Sequence, residues 1–265
     1  MMMTIRRTLV AACAAVLLAV PVLAEDLTIV FKTTGGGGGG TSTSYYSSEK
    51  MRTGDAASET IVEYGAGKIV SIDHKKKEYS EITLAEMEAA MKAAAAKMEE
   101  ANAQMKQQME SMPPAMREKM EQMMGGVASS VTVTKGGTRQ VAGYSCQDYV
   151  VAMGQSLNTK ICATTALQFP APNVDYRKFA SFAGAGASMA GNPMFKSMGK
   201  MADEMKKIEG FTIAESSSMK MMGKSMDSSK EAVEIKKGPI PAAAFDVAAL
   251  TQGYKRVPHP VTKLK

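Results

Sequence analysis

Between Thr83 and Met124 the chain carries methionine at helical spacing, and this stretch limits the fold more than any other. Met87, Met91, Met98, Met105, Met109, Met112, Met116, Met120, Met123 and Met124 all lie in it. At about 100° per residue, every one except Met124 falls within an arc of about 80°. Ala and charged residues fill the rest of the cylinder. A stripe this narrow predicts an amphipathic helix that turns one face to an apolar surface. Thioether chains are flexible and polarizable, which suits an irregular or changing surface. Thr83-Leu84-Ala85-Glu86 opens the helix as a capping box. Pro113-Pro114 breaks or kinks it after Ser111, since proline lacks a donor and clashes with the preceding turn. A second piece, 115–124, ends at Gly125-Gly126, and the stripe keeps its phase across the prolines.

Short strand-like runs flank this helical block. Ahead of it lie 27–31, the Ser/Thr/Tyr-rich segment 41–52, 59–64, 68–72 and 78–82. Gly35 to Gly40 read as a loose hairpin connection, because no Lys-Ser/Thr partner follows to make a phosphate loop. Close spacing and tight turns at Gly65-Ala66-Gly67 and Asp73-His74-Lys75-Lys76 predict an antiparallel meander. His74 is expected at a turn tip facing solvent. After the block come 130–135, 139–142, 145–153 and 157–164, with turns at Gly136-Gly137 and Gly154. A weak helix is expected over 174–182. Asn192-Pro193 then caps a helix with Met194, Met198, Met201 and Met205 on one face, closed by Gly210. The runs 211–219 and 231–237 read as a hairpin joined by a loose Met/Ser/Lys segment. The result is one α+β domain over 25–257, with helical insertions at 83–124 and 193–209 and a tail at 258–265.

Residues 1–24 read as a secretory signal: Arg6 and Arg7, an apolar run from Leu9 to Val20, and Val22-Leu23-Ala24 before the cut. Most of the apolar run follows Cys13, which argues against a lipoprotein cleavage box there. Losing Arg6 and Arg7 lowers the formal charge from +6 to +4, and the Lys residues are interspersed with Glu. No concentrated basic surface with aromatics is left for nucleic acid. The apolar run is too short to span a membrane comfortably, and no later stretch approaches it. The expected location is the periplasm or the exterior. Cys146 and Cys162 then remain as a pair in an oxidising compartment and are expected to form a disulfide. If 145–153 and 157–164 form a hairpin centred on Gly154, the two cysteines oppose each other directly. Closing that loop contributes about 3 kcal/mol in the chain-entropy model.

Gly143-Tyr144-Ser145-Cys146-Gln147-Asp148-Tyr149-Val150-Val151, followed by Thr159-Lys160-Ile161-Cys162, resembles a family of exported bacterial proteins, the DUF4412 domain. Ile69-Val70-Ser71-Ile72-Asp73 with Lys77 and Tyr79 is similar to a hairpin of that family. The same holds for the ending, Ile240-Pro241 to Phe245 and Gly253-Tyr254-Lys255-Arg256-Val257. The family is similar in pattern to periplasmic lipoprotein carriers of the LolA/LolB type. That resemblance implies a curved antiparallel sheet, an unclosed half-barrel, with helices over its concave face and acyl chains held beneath them. It implies no catalytic residues. Two features depart from the family pattern: there is no Trp, where the family often has one in place of Cys162, and the Met-rich insertion is long.

Three functions follow for the methionines. Met87, Met91, Met98, Met105, Met109, Met112, Met116, Met120, Met194, Met198, Met201 and Met205 can face a lipid or lipoprotein acyl chain in the hollow of the sheet. They can instead fill the interior of a structural or interaction protein of the envelope. The third reading is copper(I) held by Met219, Met221, Met222 and Met226, since soft thioethers select that ion. Lys220 and Lys224 and the absence of histidine from that segment weigh against it. No enzyme is expected: His74 and His259 are the only histidines and neither has a nucleophile signature beside it. No cofactor is expected either.

Overall fold

The computed structural model describes residues 25–35, 39–110, 113, 131–153, 157–171, 203–221 and 224–264. Twelve strands form one sheet. In chain order they are β1 (Leu27–Gly35), β2 (Gly40–Tyr46), β3 (Lys50–Gly54), β4 (Ser58–Glu63), β5 (Lys68–Asp73), β6 (Glu78–Thr83), β7 (Val131–Val141), β8 (Tyr144–Met153), β9 (Leu157–Thr164), β10 (Phe211–Met221), β11 (Lys224–Lys237) and β12 (Lys255–Arg256). Their spatial order is β12-β6-β5-β4-β3-β2-β1-β11-β10-β9-β8-β7, so two meanders meet where β1 pairs with β11. Every pairing is antiparallel except β12 on β6. The two ends, β12 and β7, are not joined, and the sheet is large and unclosed.

Helix α1 (Leu84–Glu110) follows β6 without a break. The chain closes with a 3-10 turn Ala242–Phe245, helix α2 (Val247–Leu250) and a last 3-10 turn Pro260–Leu264. The expected second helical piece at 115–124, the weak helix at 174–182 and the Asn192-Pro193 cap lie outside the described residues. Of the second Met-bearing helix, residues 203–205 are helical and Gly210 stands at φ 96°. The left-handed conformation favours glycine there.

The glycine run joins β1 to β2 as a hairpin, with Thr33 opposite Gly40. The segment 41–52 is two strands, not one, turned where Ser47 accepts from the Lys50 amide at 2.9 Å. Gly136-Gly137 is not a turn. The register runs Lys135 opposite Tyr149, then Thr138 opposite Gln147, so the two glycines face the single residue Asp148 as a β-bulge. Gln147 donates to the Gly136 and Gly137 carbonyls at 2.7 and 2.9 Å, which satisfies the interrupted ladder. The turn falls instead at Ala142-Gly143, both at positive φ (48° and 82°), the conformation a two-residue hairpin needs. The expected loose segment between 219 and 231 is also corrected: β10 and β11 pair right up to Met221 opposite Lys224.

Cys146 and Cys162 form a disulfide with Cα atoms 5.5 Å apart. They are not directly opposed. Cys162 faces Asp148, because Met153 pairs with Leu157 and centres the hairpin one residue beyond Gly154. Buried Leu27, Ile29, Phe31, Ile213 and both cysteines belong to the larger core cluster. Tyr46, Phe169 and Phe211 meet edge-on or stacked beside it, with ring centroids 5.2 to 6.1 Å apart. A smaller cluster of Ile61, Val70 and Ile72 is covered by Phe245, Val247, Leu250 and Tyr254 from the C-terminal segment.

Candidate functional site

Helix α1 begins as its first four residues predict. The Thr83 hydroxyl accepts from the Glu86 amide at 3.2 Å, and the Glu86 carboxylate accepts from the Thr83 amide at 2.8 Å. The helix contacts β6 and the final turn Pro260–Leu264. Among its described side chains, Leu84, Met87, Ala93 and Ala94 are half-buried and Ala90 is only 1% exposed. Lys92, Lys97, Glu100 and Gln104 point to solvent.

Of the stripe, Met87, Met91, Met98, Met105 and Met109 belong to α1, while Met112, Met116, Met120, Met194, Met198 and Met201 lie outside the described residues. Met205 ends the short helical segment and is 38% exposed. Met219 stands opposite Met226 across the β10–β11 hairpin. Met226 is exposed, Met221 pairs with Lys224, and Met222 lies outside the described residues.

Two polar groupings escaped the sequence reading. His74 is not a solvent-facing turn tip. Its Nε2 is 3.1 Å from Glu59 and its Nδ1 is 2.9 Å from the Tyr254 hydroxyl. A carboxylate only accepts, so Nε2 carries the proton and, in the neutral ring, Nδ1 accepts from the tyrosine. Arg52 grips the same Glu59 carboxylate at 2.7 and 2.8 Å and donates to the Ala244 carbonyl at 2.8 Å. The grouping fastens the C-terminal segment to β3 and β4. The turn residues Asp73-His74-Lys75-Lys76 gave no sign of it, because its partners come from distant parts of the chain.

The second grouping centres on Asp148, buried opposite the bulge. Lys160 reaches it at 2.9 Å and Arg139 at 3.2 Å, and Arg139 also holds Glu231 at 2.7 Å. Burial pushes the Asp148 carboxyl up. The hydrogen bonds and charges of Lys160 and Arg139 outweigh that and hold it below the ordinary carboxylate range. Beside it lies a cleft of about 640 Å³ lined by Thr34, Gly35, Asn158, Lys160, residues 216–218 and residues 227–229. Among the described residues no group of three or more His, Cys, Asp or Glu could hold a metal ion.

The described part of the chain is therefore a large, mostly antiparallel, unclosed sheet with one long helix and two buried or half-buried polar groupings. The family model "Domain of unknown function (DUF4412)" matches residues 91–250, and the chain belongs to that family. No curated protein matches the chain significantly. Among solved structures, an uncharacterized conserved protein from Thermus thermophilus is similar at 6% identity and a TM-score of 0.43, over 89% of this chain and 92% of that one. The Pseudomonas aeruginosa MucA/MucB complex is similar at 10% identity and a TM-score of 0.34, over 86% of this chain. MucB in complex with MucA(peri) is similar at 8% and 0.32, over 83% of this chain. This chain spans 57% and 53% of the length of those two chains. No helix among the described residues is long and apolar enough to cross a membrane.

Proposed function

We propose that the chain is an exported, non-catalytic envelope protein that binds an apolar molecule, a lipid or a lipoprotein acyl chain, against the methionine face of α1. Residues 25–257 act as one unit in this reading, after removal of a signal ending near Ala24. The observation that carries it is the orientation of the first turns of α1: Met87 and Ala90 turn inward while Lys92, Lys97 and Glu100 turn to water. The sequence spacing puts Met91, Met98, Met105 and Met109 on the same side of the helical cylinder as Met87. With 27 residues the helix is about 40 Å long, roughly twice the length of the six-residue strand that launches it. It is thus longer than its contact with β6 alone requires, and in this reading its length is what lets it cover a guest. Met112, Met116 and Met120, and Met194, Met198, Met201 and Met205 of the second insertion, supply further apolar surface.

Titration with an apolar fluorescent dye tests this. We expect micromolar binding by the wild-type chain and a loss of about tenfold in the Met98→Gln/Met105→Gln variant, which places polar amides in the wall. Dye binding that is absent, or indifferent to these substitutions, contradicts the proposal. A second reading, an interaction protein with a filled interior, is favoured by the close contacts of Tyr46, Phe169 and Phe211.

A further inference from the structure

We propose that Arg139 is a releasable strap across the trough formed by β7 to β11, and that the trough opens when Arg139 lets go of Glu231. Their places in the sheet show how far the strap reaches. β8, β9 and β10 stand between β7 and β11, so in a flat sheet the two would lie about 19 Å apart. Instead their Cα atoms approach within 8 Å, and Arg139 on β7 holds Glu231 on β11 at 2.7 Å. The five strands are therefore rolled. Among the described residues no backbone ladder joins β7 to β11.

Register decides which face is inside the roll. Asp148, Cys162, Ala214 and Glu231 stand opposite one another in one row across β8, β9, β10 and β11. Directly opposed residues point to the same face. Arg139 stands opposite Cys146, two residues from Asp148, and so shares that face. Its Nε lies 3.2 Å from Asp148 at one end of the row, and its Nη1 lies 2.7 Å from Glu231 at the other. One guanidinium thus touches both ends of a row that spans about 14 Å when flat. Cys162 and Ala214, the middle of the row, lie on the inside of the bend. Both are short, which lets the strands roll this tightly, and both are buried, as is Cys146. The next row along the same face, Lys160, Ser216 and Ser229, lines the cleft.

The two ends of the strap are unlike. Asp148 is buried and is also held by Lys160 at 2.9 Å. The Glu231 side chain is 51% exposed and that of Arg139 36%. An ion pair this exposed contributes little, and salt weakens it further. On release Arg139 keeps Asp148, while Glu231 passes to water. No charge is stranded in the interior, so the Glu231 end is the one that opens. The Gly136-Gly137 bulge, just ahead of Arg139, interrupts the β7–β8 ladder where β7 can bend. What release uncovers is the Cys146–Cys162 link. This device is independent of what lies against α1.

The test is the rate at which dithiothreitol reduces Cys146–Cys162 in the folded mature chain, the reagent being oxidised as the link becomes two thiols. Glu231→Lys sets a second cation against Arg139 and should speed reduction at least about fivefold at about 0.05 M NaCl. Glu234→Lys makes the same charge change on the same strand, at a carboxylate paired with Lys236, and should stay within about twofold of wild type. Raising NaCl to about 1 M should bring the wild type toward the Glu231→Lys rate. Each rate is repeated in urea well below the unfolding midpoint, because local opening responds little to urea and global unfolding responds strongly. Equal rates in wild type and Glu231→Lys overturn the proposal. An equal gain in Glu234→Lys, or a gain that follows urea with the slope of global unfolding, overturns it as well. Where Glu231→Lys does not fold, Glu231→Gln is read in the same way against Glu234→Gln.

Discussion

Asp148 is 6% exposed, and Lys160 and Arg139, reaching it from β9 and β7, favour its charged form against the cost of burial. Replacing it with Asn leaves two cations without their acceptor. We predict a loss of about 2 kcal/mol in urea denaturation at pH 7, discounted from the fully buried case because both cations are partly solvated. The pH dependence has a definite sign. A carboxyl held below its ordinary pKa stabilises the fold above about pH 4, and that contribution is lost as pH falls through the depressed folded value. The wild-type advantage over Asp148→Asn should therefore shrink below about pH 4 and stay constant above about pH 5. A gap that is unchanged at low pH contradicts this. Much at this scale was legible in the sequence. The pairing of Cys146 with Cys162 and the Thr83–Glu86 box followed from residue type and spacing. The partners of Asp148, Glu59 and His74 did not, because register and chain return decide them. Nothing local to His74 announces Tyr254.

Among the elements, β7 shows how a correct strand assignment can hide a wrong register. Two adjacent glycines read as a turn, yet Lys135 and Thr138 both stay paired to β8 and the glycines bulge. The residues that do turn, Ala142 and Gly143, hold a single glycine. Deleting Gly137 leaves one glycine opposite Asp148 and a regular ladder, with Val131 and Val133 still opposite Met153 and Val151. We predict a folded variant that loses less than about 1.5 kcal/mol in urea unfolding, whereas inserting a residue after Gly137 or deleting Thr134 should cost more, and a larger loss from the Gly137 deletion would contradict the bulge. The Cys146–Cys162 link staples the adjacent hairpin. Reduction, or the Cys146→Ser/Cys162→Ser variant, should cost about 3 kcal/mol, read as a lower urea midpoint without a change in slope. An equal midpoint with and without reductant would argue that the link carries no stability.

For the molecule as a whole, the C-terminal segment is a cover. Phe245, Val247, Leu250 and Tyr254 seal Ile61, Val70 and Ile72, and Arg52, Glu59 and His74 lock the cover down. A chain ending at Pro241 should lose hydrogen-exchange protection in β4 and β5 while β8 and β9 keep theirs. Equal protection would show that the cover is dispensable. The alternation of short strands made the two meanders readable, and the familiar ending pointed to the family. The order in which the meanders join at β1 and β11, and the cleft this creates, depend on pairings far apart in the chain. Methionine spacing predicts an inward face, and the proposal is that an apolar molecule lies against it. The direct measurement is native mass spectrometry of the exported protein, with organic extraction of whatever it carries. The account predicts an apolar molecule released in near-stoichiometric amount. A protein that is ligand-free when freshly isolated, and whose extract holds no lipid or acylated peptide, would contradict it.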